Sequence, residues 1–83
     1  MHVRYFAWLK HRVGLDEEEV ELPAEVRTVG ALKALLAARH PGFAEAAASR
    51  GVLRCAVNHE HADDSVAIAP GDEVAFFPPV TGG

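Results

Sequence analysis

The chain has 83 residues, 49% of them hydrophobic and 24% charged, with seven glycines and five prolines. That composition describes one small globular domain and excludes both a disordered polar tail and a second domain. Eight Lys and Arg stand against twelve Asp and Glu, a formal charge of -4 with the basic residues scattered, which excludes the clustered basic footprint that nucleic-acid binding requires.

Residues 2–9, "HVRYFAWL", alternate with the two-residue period of a strand. Val3, Tyr5, Ala7 and Leu9 share one face; His2, Arg4, Phe6 and Trp8 share the other. Apolar area on both faces places this strand centrally. His2 and Arg4 interrupt the apolar run and no small-residue cleavage site follows, so a signal peptide is not expected. Gly14 marks a turn, and "EEVEL" (Glu18 to Leu22) alternates again with Val20 and Leu22 inward, so the two segments read as a hairpin. Pro23 stops the second strand. Thr28 is placed to cap a helix over "VGALKALLAARH", in which Val29, Leu32, Leu35 and Leu36 form one apolar stripe, Lys33 lies opposite and Arg39 closes the last turn. Pro41 and Gly42 are expected to end it. "FAEAAASR" (Phe43 to Arg50) reads as a short second helix with Gly51 as its terminator.

"VLRCAVN" (Val52 to Asn58) is a third strand, with Leu53, Cys55 and Val57 inward. "NHEHADDS" reads as a polar loop, "VAI" as a brief edge strand, "APGD" as a turn, and "EVAFF" as the last strand with Val74 and Phe76 inward. The predicted order is β-β-α-(short helix)-β-(β)-β. This is an α+β fold, a mixed sheet wrapped around one main helix in the β-grasp, ubiquitin-like arrangement, with the first and last strands parallel at the centre. The predicted domain covers residues 1–77, and residues 78–83 form an extended, flexible C-terminal diglycine tail.

Several groups invite a chemical reading. His59 and His61 have i, i+2 spacing with Glu60, Asp63 and Asp64 nearby, but a polar loop lacks the fixed second shell of a metal site, so a solvated loop is the favoured reading. Cys55 is the single cysteine. It permits no internal disulfide and suits a reducing, cytoplasmic setting; its inward place marks it as an inert core thiol. The acidic run Asp16 to Glu19 reads either as a docking patch or as a solvated hairpin tip. No stretch approaches the length of a membrane helix. There is no Ser/His/acid set and no phosphate-binding glycine loop, so catalysis by this chain alone is unsupported.

The ending "PPVTGG" remains. Pro78 and Pro79 favour an extended exit from the sheet, and from Pro78 to Gly83 the tail spans roughly 18–20 Å when extended, long enough to enter another protein's active site. Gly82 and Gly83 lack a Cβ and pass a narrow channel; Gly83 presents an unhindered α-carboxylate that becomes an acyl donor once a partner adenylates it. Two glycines alone leave a second reading open, a small and flexible end without function.

"GDEVAFFPPVTGG" (Gly71 to Gly83) resembles the C-terminal signature of the MoaD family, the ubiquitin-like sulfur carriers that are small subunits of molybdopterin synthase. "VRYFA", "TVGALKALLAARHP" and "AVN" fall where that family has its first strand, helix and third strand. The resemblance implies that an ATP-dependent activating enzyme adenylates Gly83, and that a sulfur donor such as a persulfide protein converts it to a thiocarboxylate. The carrier then docks on the large subunit of molybdopterin synthase, in a heterotetramer of two small and two large subunits, and gives its sulfur to cyclic pyranopterin monophosphate. Gly83 would bear the sulfur and Gly82 would give access. Pro78, Pro79, Val80 and Thr81 would form the inserted arm, and Phe77, opposite in parity to Phe76, would anchor at the partner or pack on its own domain. No cofactor is expected on this chain; ATP belongs to the activating partner. Other readings are a sulfur carrier for thiamine thiazole synthesis, a ubiquitin-like modifier and a plain interaction module.

Overall fold

The computed structural model describes residues 1–49 and 53–78. In chain order the elements are β1 (His2–Tyr5), α1 (Trp8–Val13), β2 (Glu17–Glu19), α2 (Val29–Arg39), α3 (Pro41–Ser49), β3 (Arg54–Val57), β4 (Glu60–His61) and β5 (Glu73–Phe77). The five strands form one sheet in the order β2-β1-β5-β3-β4. β1 and β5 run parallel at its centre, with Val3 opposite Val74 and Tyr5 opposite Phe76, and every other pairing is antiparallel. This is the expected β-grasp fold.

The register puts one apolar set on the face that meets the helices. Val3, Tyr5, Val74, Phe76 and Cys55 point inward from the three central strands, with Leu53 just before β3, and meet Val29, Leu32 and Leu36 of α2 and Phe43 of α3, all of them buried. Phe76 is the hub. Its ring stacks on Tyr5 at 6.4 Å and meets Phe43 edge-on at 5.3 Å, the offset and T-shaped arrangements that aromatic quadrupoles favour. α2 starts as its sequence predicts: the Thr28 hydroxyl accepts a hydrogen bond from the Ala31 amide at 3.2 Å, satisfying one of the first-turn donors.

The first strand is shorter than its alternation predicts, and the hairpin is interrupted by a helix. Ala7 takes φ 55° and ψ -141°, which ends the extended run and starts α1 at Trp8. Leu9 stays buried, now as an inward position of a helix and not of a strand. Gly14, expected to make a hairpin turn, is the left-handed C-cap of α1 at φ 92°, its amide bonded to the Lys10 carbonyl. An alanine in such a conformation carries strain on the order of 1–3 kcal/mol, which exceeds the extra chain entropy of glycine. Ala7→Gly is therefore expected to stabilise the fold by about 1 kcal/mol, raising the thermal midpoint by roughly 5 °C in a calorimetric scan. A lower midpoint would mean that the methyl makes a contact worth more than the strain.

β2 lies at one edge of the sheet and covers Glu17–Glu19, with Val20 buried immediately after it as predicted. The acidic run therefore forms a strand as well as a loop. Glu17 and Glu19 each stand 2.7 Å from a ring nitrogen of His2, while Glu18 turns to the other side and accepts from the Tyr5 hydroxyl at 2.7 Å. His40, the C-cap of α2, reaches the same Glu18 oxygen at 2.7 Å. The hydrogen bond to Glu19, with the charges of both glutamates, raises the pKa of His2 above its ordinary 6.5. Such a group stabilises the fold fully below its unfolded value and loses that contribution as pH rises through the folded one. The difference in thermal midpoint between the wild type and His2→Gln should thus be greatest on the acid side of the raised His2 pKa and fade as pH rises through it; a difference that does not change with pH would show that the pairing does not depend on charge.

Three further boundaries differ from expectation. α2 ends at Arg39 with His40 as its cap, just before Pro41 as expected, but Pro41 also starts α3, ahead of Phe43, at the position where proline's missing amide costs nothing. Gly42 follows it because a Cβ there would run into the backbone carbonyl of Arg12, so α1 and α3 approach closely. Arg50, Gly51 and Val52 lie outside the described residues. The loop "NHEHADDS" contains β4: Asn58 (φ 49°) and His59 (φ 70°) form a tight turn of two left-handed residues that folds Glu60 and His61 back onto β3. "VAI" contributes only an isolated bridge between Ala67 and Thr28. Among the described residues, no helix is long and apolar enough to cross a membrane.

Candidate functional site

β5 leads straight to the C-terminal segment, so its anchorage sets where that segment starts. It is flanked on both sides, by β1 and β3, and Val74 and Phe76 are fully buried beneath it. One amide beyond the parallel ladder, Phe6 donates to the Phe76 carbonyl at 3.1 Å, fixing the strand almost to its end. Phe77 is the last residue of β5 and Pro78, which follows it, is buried. Pro79, Val80, Thr81, Gly82 and Gly83 lie outside the described residues.

Phe77 is on the outer face of the sheet, away from α2 and the core. It is half-buried, opposite Arg54 in the ladder, with its ring edge-on to His61 at 5.9 Å. Alternation from the buried Val74 and Phe76 fixes this side. One residue beyond the Tyr5–Phe76 pair, at the end of β1, stands Phe6, 40% exposed, with the Arg4 guanidinium 5.1 Å above its ring. The end of the sheet from which the tail departs therefore carries two partly exposed aromatic rings framed by Arg4 and Arg54. Phe6 was visible in the sequence as one of two aromatics, with Trp8, on the strand face that also holds His2 and Arg4, though nothing there tied it to Phe77.

The other candidates sit elsewhere. Cys55 is 3% exposed, and burial pushes its thiol up to about 11, so it stays a protonated core group at neutral pH. It forms part of the wall of an open cleft of about 760 Å³ in which Lys33 and Asp64 pair at 2.8 Å. His59 is 3.8 Å from Glu73, whereas His61 packs on Phe77, so the two histidines of the loop engage different neighbours. Asp63 is held below the usual carboxylate range, first by the Ser65 hydroxyl and then by its amide, and serves the turn. Among the described residues no three His, Cys, Asp or Glu side chains are grouped as a metal ion would need.

Residues 3–83 match the ThiS family. The chain is 43% identical over 81 residues to the molybdopterin synthase sulfur carrier subunit of Escherichia coli strain K12, covering 98% of this chain and 96% of that protein. The crystal structure of SAMP1, small archaeal modifier protein 1 of Haloferax volcanii, is similar at a TM-score of 0.81 and 32% identity, covering 100% of this chain and 98% of that one. A chain from a Helicobacter pylori complex of subunits 1 and 2 of molybdopterin-converting factor shares the fold at a TM-score of 0.65 and 24% identity, covering 99% of this chain and 96% of that one.

Proposed function

Because the chain belongs to the ThiS family, we propose that it is a sulfur carrier of molybdenum cofactor biosynthesis, not catalytic alone, whose C-terminal Gly83 takes up sulfur as a thiocarboxylate. The observation that carries this reading is the 43% identity, over nearly the full length of both chains, to the E. coli molybdopterin synthase sulfur carrier subunit. It is supported by the placement of β5 at the sheet centre, which leads into "PPVTGG" from a rigid base. In this reading an activating enzyme joins the Gly83 carboxylate to AMP with release of pyrophosphate. The terminal sulfur of a persulfide donor then displaces AMP to give an acyl disulfide, and a thiol cleaves its S–S bond, leaving the Gly83 thiocarboxylate and a disulfide. The arm, rooted at the buried Pro78 and running to Thr81, enters the large subunit of molybdopterin synthase, Gly82 clears the channel, and the sulfur passes to cyclic pyranopterin monophosphate. Phe77, with Phe6 beside it, meets the surface around that entrance.

The likeness to SAMP1 favours one second reading, a ubiquitin-like modifier joined through Gly83 to lysines of other proteins. Both uses need the same activated carboxylate; they differ in the nucleophile that takes it. Purification of the tagged chain from its native cells separates them. Recovery of a molybdopterin synthase large subunit in a noncovalent complex supports the carrier. Covalent ladders carrying a Gly83 to lysine linkage, without that subunit, would replace it with the modifier, and a thiazole synthase would point to thiamine.

A further inference from the structure

We propose that α1, with the Phe6–Ala7 corner before it, is a second docking element for the large subunit that admits the tail, and that the surface it meets there is acidic. The proposal rests on the carrier reading and goes beyond it by assigning a charge to the partner. Its first support is the distribution of charge. Residues 1–15 hold Arg4, Lys10 and Arg12 and no acidic residue, while the rest of the chain holds five basic and all twelve acidic residues. A chain that is acidic overall thus presents one segment of opposite sign.

The second support is position. α1 begins where the parallel pair of β1 and β5 ends, and Phe6 is bonded to Phe76, so a protein that receives the chain beyond Pro78 approaches this corner. The third is the side chains themselves. Arg12 lies 5.8 Å above the Trp8 ring and 3.7 Å from Glu45 of α3, but Lys10 and His11 have no side-chain partner among the described residues. They are charged or polar groups on the outside of a short helix whose inner position, Leu9, is fully buried. Ala7 adds a fourth observation: its methyl is exposed on a backbone that glycine would adopt without strain, so no burial within the chain offsets the cost.

The same charges argue for a protein and against a phosphate polymer or an anionic membrane. Asp16 to Glu19 follow α1 directly and would repel an extended polyanion, whereas a folded partner can place acidic groups opposite Lys10 and His11 alone.

The test is calorimetric binding of the full chain to the molybdopterin synthase large subunit of the same organism, for the wild type and for the double substitution Lys10→Glu with His11→Glu. At about 50 mM salt the double variant should bind about tenfold more weakly, and at about 300 mM salt the gap should narrow, because exposed charges are screened. A thermal scan of the variant, expected to match the wild type, shows that the domain is intact. Equal affinities at low salt would overturn the docking proposal and leave the carrier reading standing. A defect that does not change with salt would overturn its electrostatic basis. A loss confined to sulfuration by the activating enzyme would overturn the choice of partner. Failure of the wild type itself to bind would remove the carrier reading, and this proposal with it.

Discussion

Removal of Gly83, or addition of one residue after it, is expected to abolish sulfur transfer while leaving the thermal midpoint unchanged. The two effects separate because the chemistry and the stability reside in different parts of the chain. The described buried side chains end with Phe76 and Pro78, and the described outer face ends with Phe77. The proposed chemistry needs a free α-carboxylate at one fixed distance beyond them. A one-residue change displaces that carboxylate by about 3.3 Å, more than the sub-ångström tolerance of a reacting group. Transfer is read as molybdopterin formed in a reconstituted synthase, and stability by a thermal scan of the same samples. A substantial fall in midpoint on deletion would mean that the terminal residues are structural, and retained transfer would mean that Gly83 is not the carrier atom's site.

The second large effect is on the fold. Phe76→Ala should destabilise the domain by about 3–5 kcal/mol, because it removes a fully buried ring that touches both Tyr5 and Phe43 and leaves a cavity at the centre of the sheet. For a domain whose total stability is on the order of 5–15 kcal/mol, this brings it close to unfolding, with a midpoint lower by about 20 °C. Urea titration gives the free energy directly. Phe77→Ala is the control one residue away: on the outer face and half-buried, it should cost about 1 kcal/mol of stability. In the proposed account it acts on affinity for the large subunit. Equal destabilisation by the two substitutions would contradict the assignment of Phe77 to the outer face.

These neighbours also show what could be read from the sequence. Alternation in "EVAFF" placed Val74 and Phe76 inward, and the apolar content of the first and last strands placed both at the centre, because a strand's period is fixed by its backbone. Thr28 announced α2 through the capping chemistry of a hydroxyl before an apolar stripe. α1 was hidden for a physical reason. Val3, Tyr5, Ala7 and Leu9 keep a period of two, and Leu9 is inward both in the extrapolated strand and in the observed helix; the break lies in the φ of an alanine, where a glycine would have signalled it. Gly14 and the basic residues Lys10, His11 and Arg12 were the marks of a helix C-terminus in that stretch. β4 was hidden because its turn places a histidine, not a glycine, in the left-handed region.

The candidate site was legible only in part. The diglycine end and its two prolines named a chemical handle, and Phe77 was open between core and surface until the register settled its side. Phe6 as its neighbour depends on the parallel pairing of segments some seventy residues apart, which no local pattern states.

The central claim is that Gly83 carries sulfur, and intact-mass measurement tests it most directly. The purified chain is incubated with its activating enzyme, ATP, a persulfide donor and a thiol reductant, and its mass is compared with that of the untreated chain. The account predicts a gain equal to the difference between one sulfur and one oxygen atom, located by fragmentation at Gly83 and lost on hydrolysis. An unchanged mass, with an activating enzyme shown to be active on a known carrier, would contradict it.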